Sequence, residues 1–273
     1  MADVKISIVI PTRSKGLQTL ETIQSCQRQA FDKAQYELIV VGHFENRLLC
    51  DLTRQPQFSN FTYSVCSNIG VNHARNHGLT KATGDIVLFL DDDCRLPREN
   101  YLADLWKAHQ IHHEICVIGG KYQSSQETNL WGQLYNEMVN CWISSHHQKP
   151  LKVLPGGNCS FKRKLLNQRQ FESKIRYGGS ETEFLIRLQK QGEKLLFLES
   201  LTVYHDSQIP FRSVLSKAWQ QGKNRSQYQL PKGSLHLPRG LNAQTLTFLA
   251  GYKIISEMAS TFKKIEQKLG SNH

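Results

Sequence analysis

Short apolar runs and amphipathic stretches alternate along the first half of the chain. Lys5-Ile6-Ser7-Ile8-Val9-Ile10 reads as a strand ended by Pro11, and Glu37-Leu38-Ile39-Val40-Val41 as a second strand stopped by Gly42. Phe61 to Cys66 predicts a third strand and Asp85 to Leu90 a fourth. Between them, Leu17, Leu20, Ile23 and Cys26 recur at helical spacing. Val71, Ala74, Gly78 or Leu79, and Ala82 do the same over a helix from Ile69 to Thr83 that Gly84 ends. Strand and helix in alternation predict a mostly parallel, doubly wound sheet with helices on both faces.

Beyond Pro97 the pattern predicts a helix near Glu99–His112 and a strand at Ile115–Ile118. The stretch from Gly120 to Leu154 is harder to read. Its Trp131, Tyr135, Met138 and Trp142 are spaced as on one helix face, which points to core packing. Pro155-Gly156-Gly157-Asn158 is a tight turn before the apolar Cys159-Ser160-Phe161. A helix follows Gly179, then short strands at Lys194–Phe197 and Leu201–His205. From Gln208 onward the chain reads as helical, basic and separate in character. The expected organisation is one α/β domain over residues 1–207, with halves of about 1–97 and 98–207, and a helical extension over 208–273.

With 273 residues the chain is long enough for one large α/β domain. Residues 1–5 are polar and lead straight into a strand, so no signal peptide is expected. No stretch approaches the ~18 apolar residues of a membrane-spanning helix, so a soluble or peripheral protein is expected. Seven dispersed cysteines without a C-x-x-C pair suit a reducing, cytoplasmic setting. His109, His112 and His113 invite a metal reading, but Lys107 to Glu114 reads better as the polar end of a helix. Charge divides the chain unevenly. Residues 1–150 carry 14 Lys+Arg against 15 Asp+Glu, while 151–273 carry 20 against 8, so the net +11 comes from the second half. Such a field attracts anions: nucleic acid, anionic lipid or phosphorylated substrates.

The chemistry concentrates where Ile86-Val87-Leu88-Phe89-Leu90 runs into Asp91-Asp92-Asp93. Three like charges at the end of a buried strand repel one another and need a counterion. Ligands of open α/β sheets bind beyond the carboxyl ends of strands, and a divalent cation carrying a phosphate suits this cluster. A solvated acidic turn, partly neutralised by Arg95, is the plainer reading.

Taken with its neighbours, the segment resembles the family 2 glycosyltransferases of the GT-A fold. The resemblance rests on SIVIPTRSKG at 7–16, NIGVNHARNHGLTKATGDIVLFLDDDCRLP at 68–97, PGGNCSFKR at 155–163, GGSETEFLIRLQKQG at 178–192 and VYH at 203–205. It implies an inverting transfer of sugar from a nucleotide-sugar donor, UDP on family grounds, to a hydroxyl of a glycan or lipid-linked acceptor. It also implies that Pro11, Thr12, Arg13, Asn68, Arg75, Asp91 and Asp92 meet the donor. Asp93 and His205 would hold Mn²⁺ or Mg²⁺. Glu181 would be the base, where the family usually carries the second acid of Glu-Asp. Gly156, Gly157 and Asn158 would approach sugar or acceptor.

Ser180 and Glu183 also have the spacing of a capping box, which leaves Glu181 to the chemistry. The second strand lacks the acidic turn with which the family reads the base, leaving His43 or Glu45 as substitutes. Residues 208–273 hold 10 Lys+Arg and 2 acids. Lys217, Trp219, Lys223, Arg225 and Tyr228 mix cations with aromatics, beside the apolar anchors Leu241, Leu246, Phe248 and Leu249. Such a segment suits an anionic membrane surface at the inner face, or packing on the domain or a partner; no nucleic-acid motif is present. A sugar-phosphate nucleotidyltransferase would need a glycine-rich loop that Pro11 to Gly16 does not supply. A non-catalytic glycan- or membrane-binding module is the remaining alternative.

Overall fold

The computed structural model describes residues 3–13, 17–144, 153–175, 178–206, 208–230 and 241–270. The end of the expected donor loop, Ser14 to Gly16, and residues 231–240 of the basic extension lie outside them. The elements follow the chain as β1 (Ile6–Pro11), α1 (Leu17–Gln27), β2 (Tyr36–Gly42), α2 (Arg47–Leu52), β3 (Phe61–Val65), α3 (Val71–Leu79) and β4 (Ile86–Leu90). Then come β5 (Cys94–Arg95), α4 (Tyr101–Ile111), β6 (Val117–Gln123), α5 (Leu130–Ser144), β7 (Asn158–Lys162), α6 (Arg163–Leu166), α7 (Ser180–Lys190), β8 (Leu195–His205), α8 (Phe211–Gln227) and α9 (Ala243–Gly270).

One sheet takes the order β3-β2-β1-β4-β7-β6-β8-β5. Its first four strands are parallel, as the alternation predicts. β7 then enters antiparallel to both β4 and β6, while β6 and β8 are parallel. Side chains of a strand alternate between faces, and the two largest cores follow that rule. Ile6, Ile8 and Ile10 of β1 join Ile86, Leu88 and Leu90 of β4 under α1 and α4. Val9, Val87 and Phe89 face the other way, with Phe184, Leu185 and Leu188 of α7. Phe89, Phe161, Phe171 and Phe184 pack there edge-on or tilted, at 4.3 to 6.3 Å between centroids.

Several sequence boundaries shift. The two short strands expected at 194–197 and 201–205 are one strand, β8, whose pairing with β6 changes register between Gly120 and Tyr122. The difficult stretch holds the end of β6 and the whole of α5. A third apolar cluster joins Met138 of α5 to Val214 and Ala218 of α8 and Leu249 and Tyr252 of α9. The basic extension is therefore packed on the sheet domain through α5. Gly222 lets its two helices approach, since a Cβ there would lie 2.1 Å from the Ser256 carbonyl oxygen.

Candidate active site

Register sets the site. β1 and β4 are parallel, with Val9 beside Phe89, so Pro11-Thr12-Arg13 and Asp91-Asp92-Asp93 leave the sheet side by side. β7 runs the other way with Asn158 opposite Leu90, which brings the Gly156-Gly157 turn to the start of the acidic run. β8 ends beside β5 with Cys94 opposite His205, setting His205 against Asp93. A cavity of about 390 Å³ opens over these ends.

Arg75 of α3, only 3% exposed, is the pivot. Its Nη2 donates to Asp91 Oδ1 at 3.4 Å and to the Gly156 carbonyl at 3.3 Å. Its Nη1 donates to Ser180 Oγ at 3.3 Å and lies 3.7 Å from Glu181 Oε2. Ser180 Oγ in turn donates to Glu181 Oε2 at 2.8 Å. One buried cation thus offsets the repulsion between two carboxylates that face the same cavity. Bare backbone admits both acids: a Cβ at Gly157 would lie 2.2 Å from the Asp91 carboxylate, and one at Gly156 2.9 Å from Glu181.

Burial pushes the Asp91 carboxyl above its usual range; Arg75 opposes that rise and the Asp93 charge adds to it. Asp92 is pushed up to about 6 by burial and then by Asp93, although the Thr12 hydroxyl donates to its Oδ2 at 2.5 Å. The cluster gains from any added positive charge.

His205 is prepared as a ligand. The Asn136 amide donates from Nδ2 to Ser124 Oγ at 3.0 Å and to the His205 carbonyl at 2.9 Å. Its Oδ1 must therefore accept, and it meets His205 Nδ1. That bond places the ring proton on Nδ1 and leaves the Nε2 lone pair facing Asp93 Oδ1 at 3.4 Å. With the ring neutral, these two acceptors would be joined by a cation between them. Tyr122 fixes the ring plane by stacking at 4.3 Å and 15°. Asp93, Cys94 and His205 offer ligand atoms within 4.8 Å of one another. Burial, and then the neighbouring acids, raise the Cys94 thiol well above its usual range, so a cation could recruit it only by displacing its proton, and Asp93 and His205 would be the first ligands.

Some expected residues fall elsewhere. Asn68 is exposed and lies off the cavity lining, whereas His43, not Glu45, lines it. Gly157 and Asn158 sit behind the wall. Gly157 N–H donates to Tyr122 Oη, and Asn158 is 1% exposed, bonded to Tyr101 and to the Leu201 carbonyl. The capping box does not form: Gly179, at φ 79°, is the N-cap, Ser180 begins the helix, and Glu183 pairs with Arg187 at 2.8 Å. Arg95 turns from the acidic run to Asp206 at 2.6 Å and Glu127 at 3.1 Å. His109 is buried against Ser160 Oγ at 2.8 Å, a packing role.

The sequence reading missed a whole wall. Tyr135, Met138 and Trp142 line the cavity from α5, Lys217, Gln221 and Arg225 from α8, and Leu249, Tyr252, Lys253, Ser256 and Glu257 from α9. The spacings 217, 221, 225 and 249, 252, 253, 256, 257 each mark one helix face. Nothing in the sequence says what those faces cover.

Residues 7–171 match the family described as "Glycosyl transferase family 2". The chain is 24% identical over 172 residues to the "Uncharacterized glycosyltransferase YfnE" of Bacillus subtilis, covering 62% of this chain and 41% of that protein. It is 27% identical over 118 residues to the "Poly(ribitol-phosphate) beta-N-acetylglucosaminyltransferase TarP" of Staphylococcus aureus, covering 42% and 36%. The chain spans less than half the length of these curated relatives. Among solved structures, the mannosyltransferase PcManGT from Pyrobaculum calidifontis in complex with GDP-Man and Mn²⁺ superposes with a TM-score of 0.62 at 17% identity, covering 97% of this chain and 80% of that one. S. aureus TarS 1-349 with UDP-GlcNAc gives 0.60 at 19%, covering 91% and 71%.

Proposed function

From a chain that belongs to glycosyl transferase family 2, is a glycosyltransferase and carries the GT-A fold, we infer an inverting, metal-dependent transfer from a UDP-sugar to a hydroxyl of a glycan or lipid-linked acceptor. The observation that carries this reading is the buried Arg75 bridge, which holds Asp91 and Glu181 apart yet turned to one cavity. Solved structural relatives hold UDP, UDP-GlcNAc, and GDP-Man with Mn²⁺, which supports a nucleotide-sugar donor.

Pro11, Thr12, Arg13, His43 and Asp92 form the end of the cavity suited to the nucleotide, with Thr12 holding Asp92 in place. Asp93 and His205 would hold Mn²⁺ or Mg²⁺, which when bound neutralises the departing diphosphate as a Lewis acid. Glu181 removes the proton of the acceptor hydroxyl, and Ser180 and Arg75 orient its carboxylate. The freed oxygen attacks the anomeric carbon from the face opposite the diphosphate, and one displacement inverts that centre. Gly156 keeps the backbone clear beside the base.

No helix among the described residues is long and apolar enough to cross a membrane. On α9, however, Ile254, Met258, Phe262, Ile265 and Leu269 are exposed beside Lys263, Lys264 and Lys268. That face suits the anionic inner surface of a membrane in the cytoplasm. The deciding experiment is release of nucleoside diphosphate from a panel of nucleotide sugars with Mn²⁺. D93A should abolish release while keeping the wild-type melting temperature. Absence of release from every donor would reject the enzymatic assignment.

A further inference from the structure

A second cavity, of about 520 Å³, lies between α5, α8 and α9. Trp131, Phe211, Val214, Phe248 and Ile255 enclose it, with Trp131 4.7 Å from Phe211 and 6.4 Å from Phe248 between ring centroids. Tyr252 belongs to both cavities. Its hydroxyl donates to Gln221 Oε1 on the active-site side at 2.8 Å, so one ring lines both the apolar groove and the active-site cavity.

Gly251 lies on this groove inside a 28-residue helix. Glycine is the poorest helix former after proline, and at Gly222 close packing accounts for it. At Gly251 an added Cβ would meet nothing within 4 Å. The fold therefore does not need a glycine there; the residue keeps the groove open. At about 100° per residue, Thr247, Gly251 and Ile255 share a face with the exposed Met258, Phe262, Ile265 and Leu269. The α9 face that lines the groove thus continues into an apolar, lysine-flanked stretch, and Tyr252 joins the groove to the wall of the active site. On the far side of Tyr252 stands Lys217, 4.3 Å over the Tyr135 ring and paired with no carboxylate among the described residues.

We propose that this groove binds the hydrocarbon chain of the acceptor, an amphiphile whose anionic head meets Lys217 in the active-site cavity. The proposal rests on the glycosyltransferase reading and names its acceptor class. Charge complementarity and continuity with the active site favour this occupant over a second copy of the chain.

The test uses dodecyl phosphate and butyl phosphate as probes, below micelle formation, with tryptophan fluorescence of the full chain as the readout. Each buried methylene strengthens binding, so dodecyl phosphate should bind at least about tenfold more tightly. Gly251→Leu fills the groove and should bring the ratio close to one at an undiminished melting temperature. Should that variant misfold, Thr247→Phe blocks the same groove from an exposed position and must have the same effect. Lys217→Met should weaken both probes equally and keep the ratio. Equal binding of the two probes by the wild-type chain, or an unchanged ratio in the blocked variants, overturns the proposal. Equal binding together with a dimer that Gly251→Leu dissociates overturns it in favour of a second copy. Binding of UDP with Mn²⁺ is measured in parallel on the unaltered chain. If nucleotide binds without chain-length preference, only the groove assignment falls; if the preference stands without nucleotide, the acceptor role falls.

Discussion

The active-site cavity has two walls built on opposite principles. The sheet wall is fixed by strand register: Asp91, Asp92, His205 and the Gly156 turn stand where buried strands end, with Asp93 just behind them against His205, and each strand admits one pairing that keeps its apolar face inside. The helical wall of α8 and α9 is fixed by side-chain packing, through Met138, Val214, Ala218, Leu249 and Tyr252, and by side-chain bonds such as Arg225 to Glu257 at 3.0 Å. Placement by register holds reacting groups, while placement by packing tolerates changes of length and face. On the proposed reading the acids and His205 that meet the donor sit on the first wall, Glu181 reaches in from α7, and selectivity for the acceptor falls to the second wall.

Substitutions sharpen that contrast in decreasing order of effect. E181Q removes the proposed base and should slow transfer by roughly 10²–10⁴ with little change in melting temperature. A comparable loss of stability would instead make Glu181 a scaffold residue. G222A pushes a methyl toward the Ser256 carbonyl and should cost about 1–3 kcal/mol in thermal or denaturant unfolding. A neutral result would mean that the helical wall is looser than its packing indicates. N136L frees the His205 ring and should weaken Mn²⁺ binding about tenfold, measured by titration calorimetry. The smallest effect is a pH dependence. Because Asp92 titrates near 6 when folded, above its ordinary 3.8, its proton favours the folded chain. That stability is present below pH 3.8 and is lost as pH rises through about 6. A cation requires the deprotonated acids, so the gain in melting temperature on adding Mn²⁺ should grow as pH rises through about 6.

How much of this was legible follows the same division. The run Ile86–Leu90 into Asp91–Asp93 announced its own position, because a buried apolar strand can release three charges only at its end. His205 and Glu181 were found from their motifs, and the structure turns both toward the same cavity. Arg75 was recognised as an anion-binding residue, but its bridging of two acids depends on contacts far apart in sequence. Asn136 and Tyr122, which set the tautomer and plane of His205, are not legible: the helical spacing of α5 points only to core packing, and Tyr122 lies in β6 beyond the expected strand end at Ile118. The capping box failed since a left-handed Gly179 already supplies the N-cap. In the basic extension the helices could be read, but not what they cover.

Leu90 pairs with Asn158 across a long excursion of chain that includes α4, β6 and α5. Nothing local draws those two residues together, so their pairing carries the entropic cost of closing a long loop. Until it closes, the nascent polypeptide exposes β4 as an unzipped edge, and Asp91 has neither its glycine cradle nor its arginine. Assembly of the acidic site therefore depends on this closure, and a nick within the excursion should silence the proposed activity while leaving the parallel half of the sheet intact.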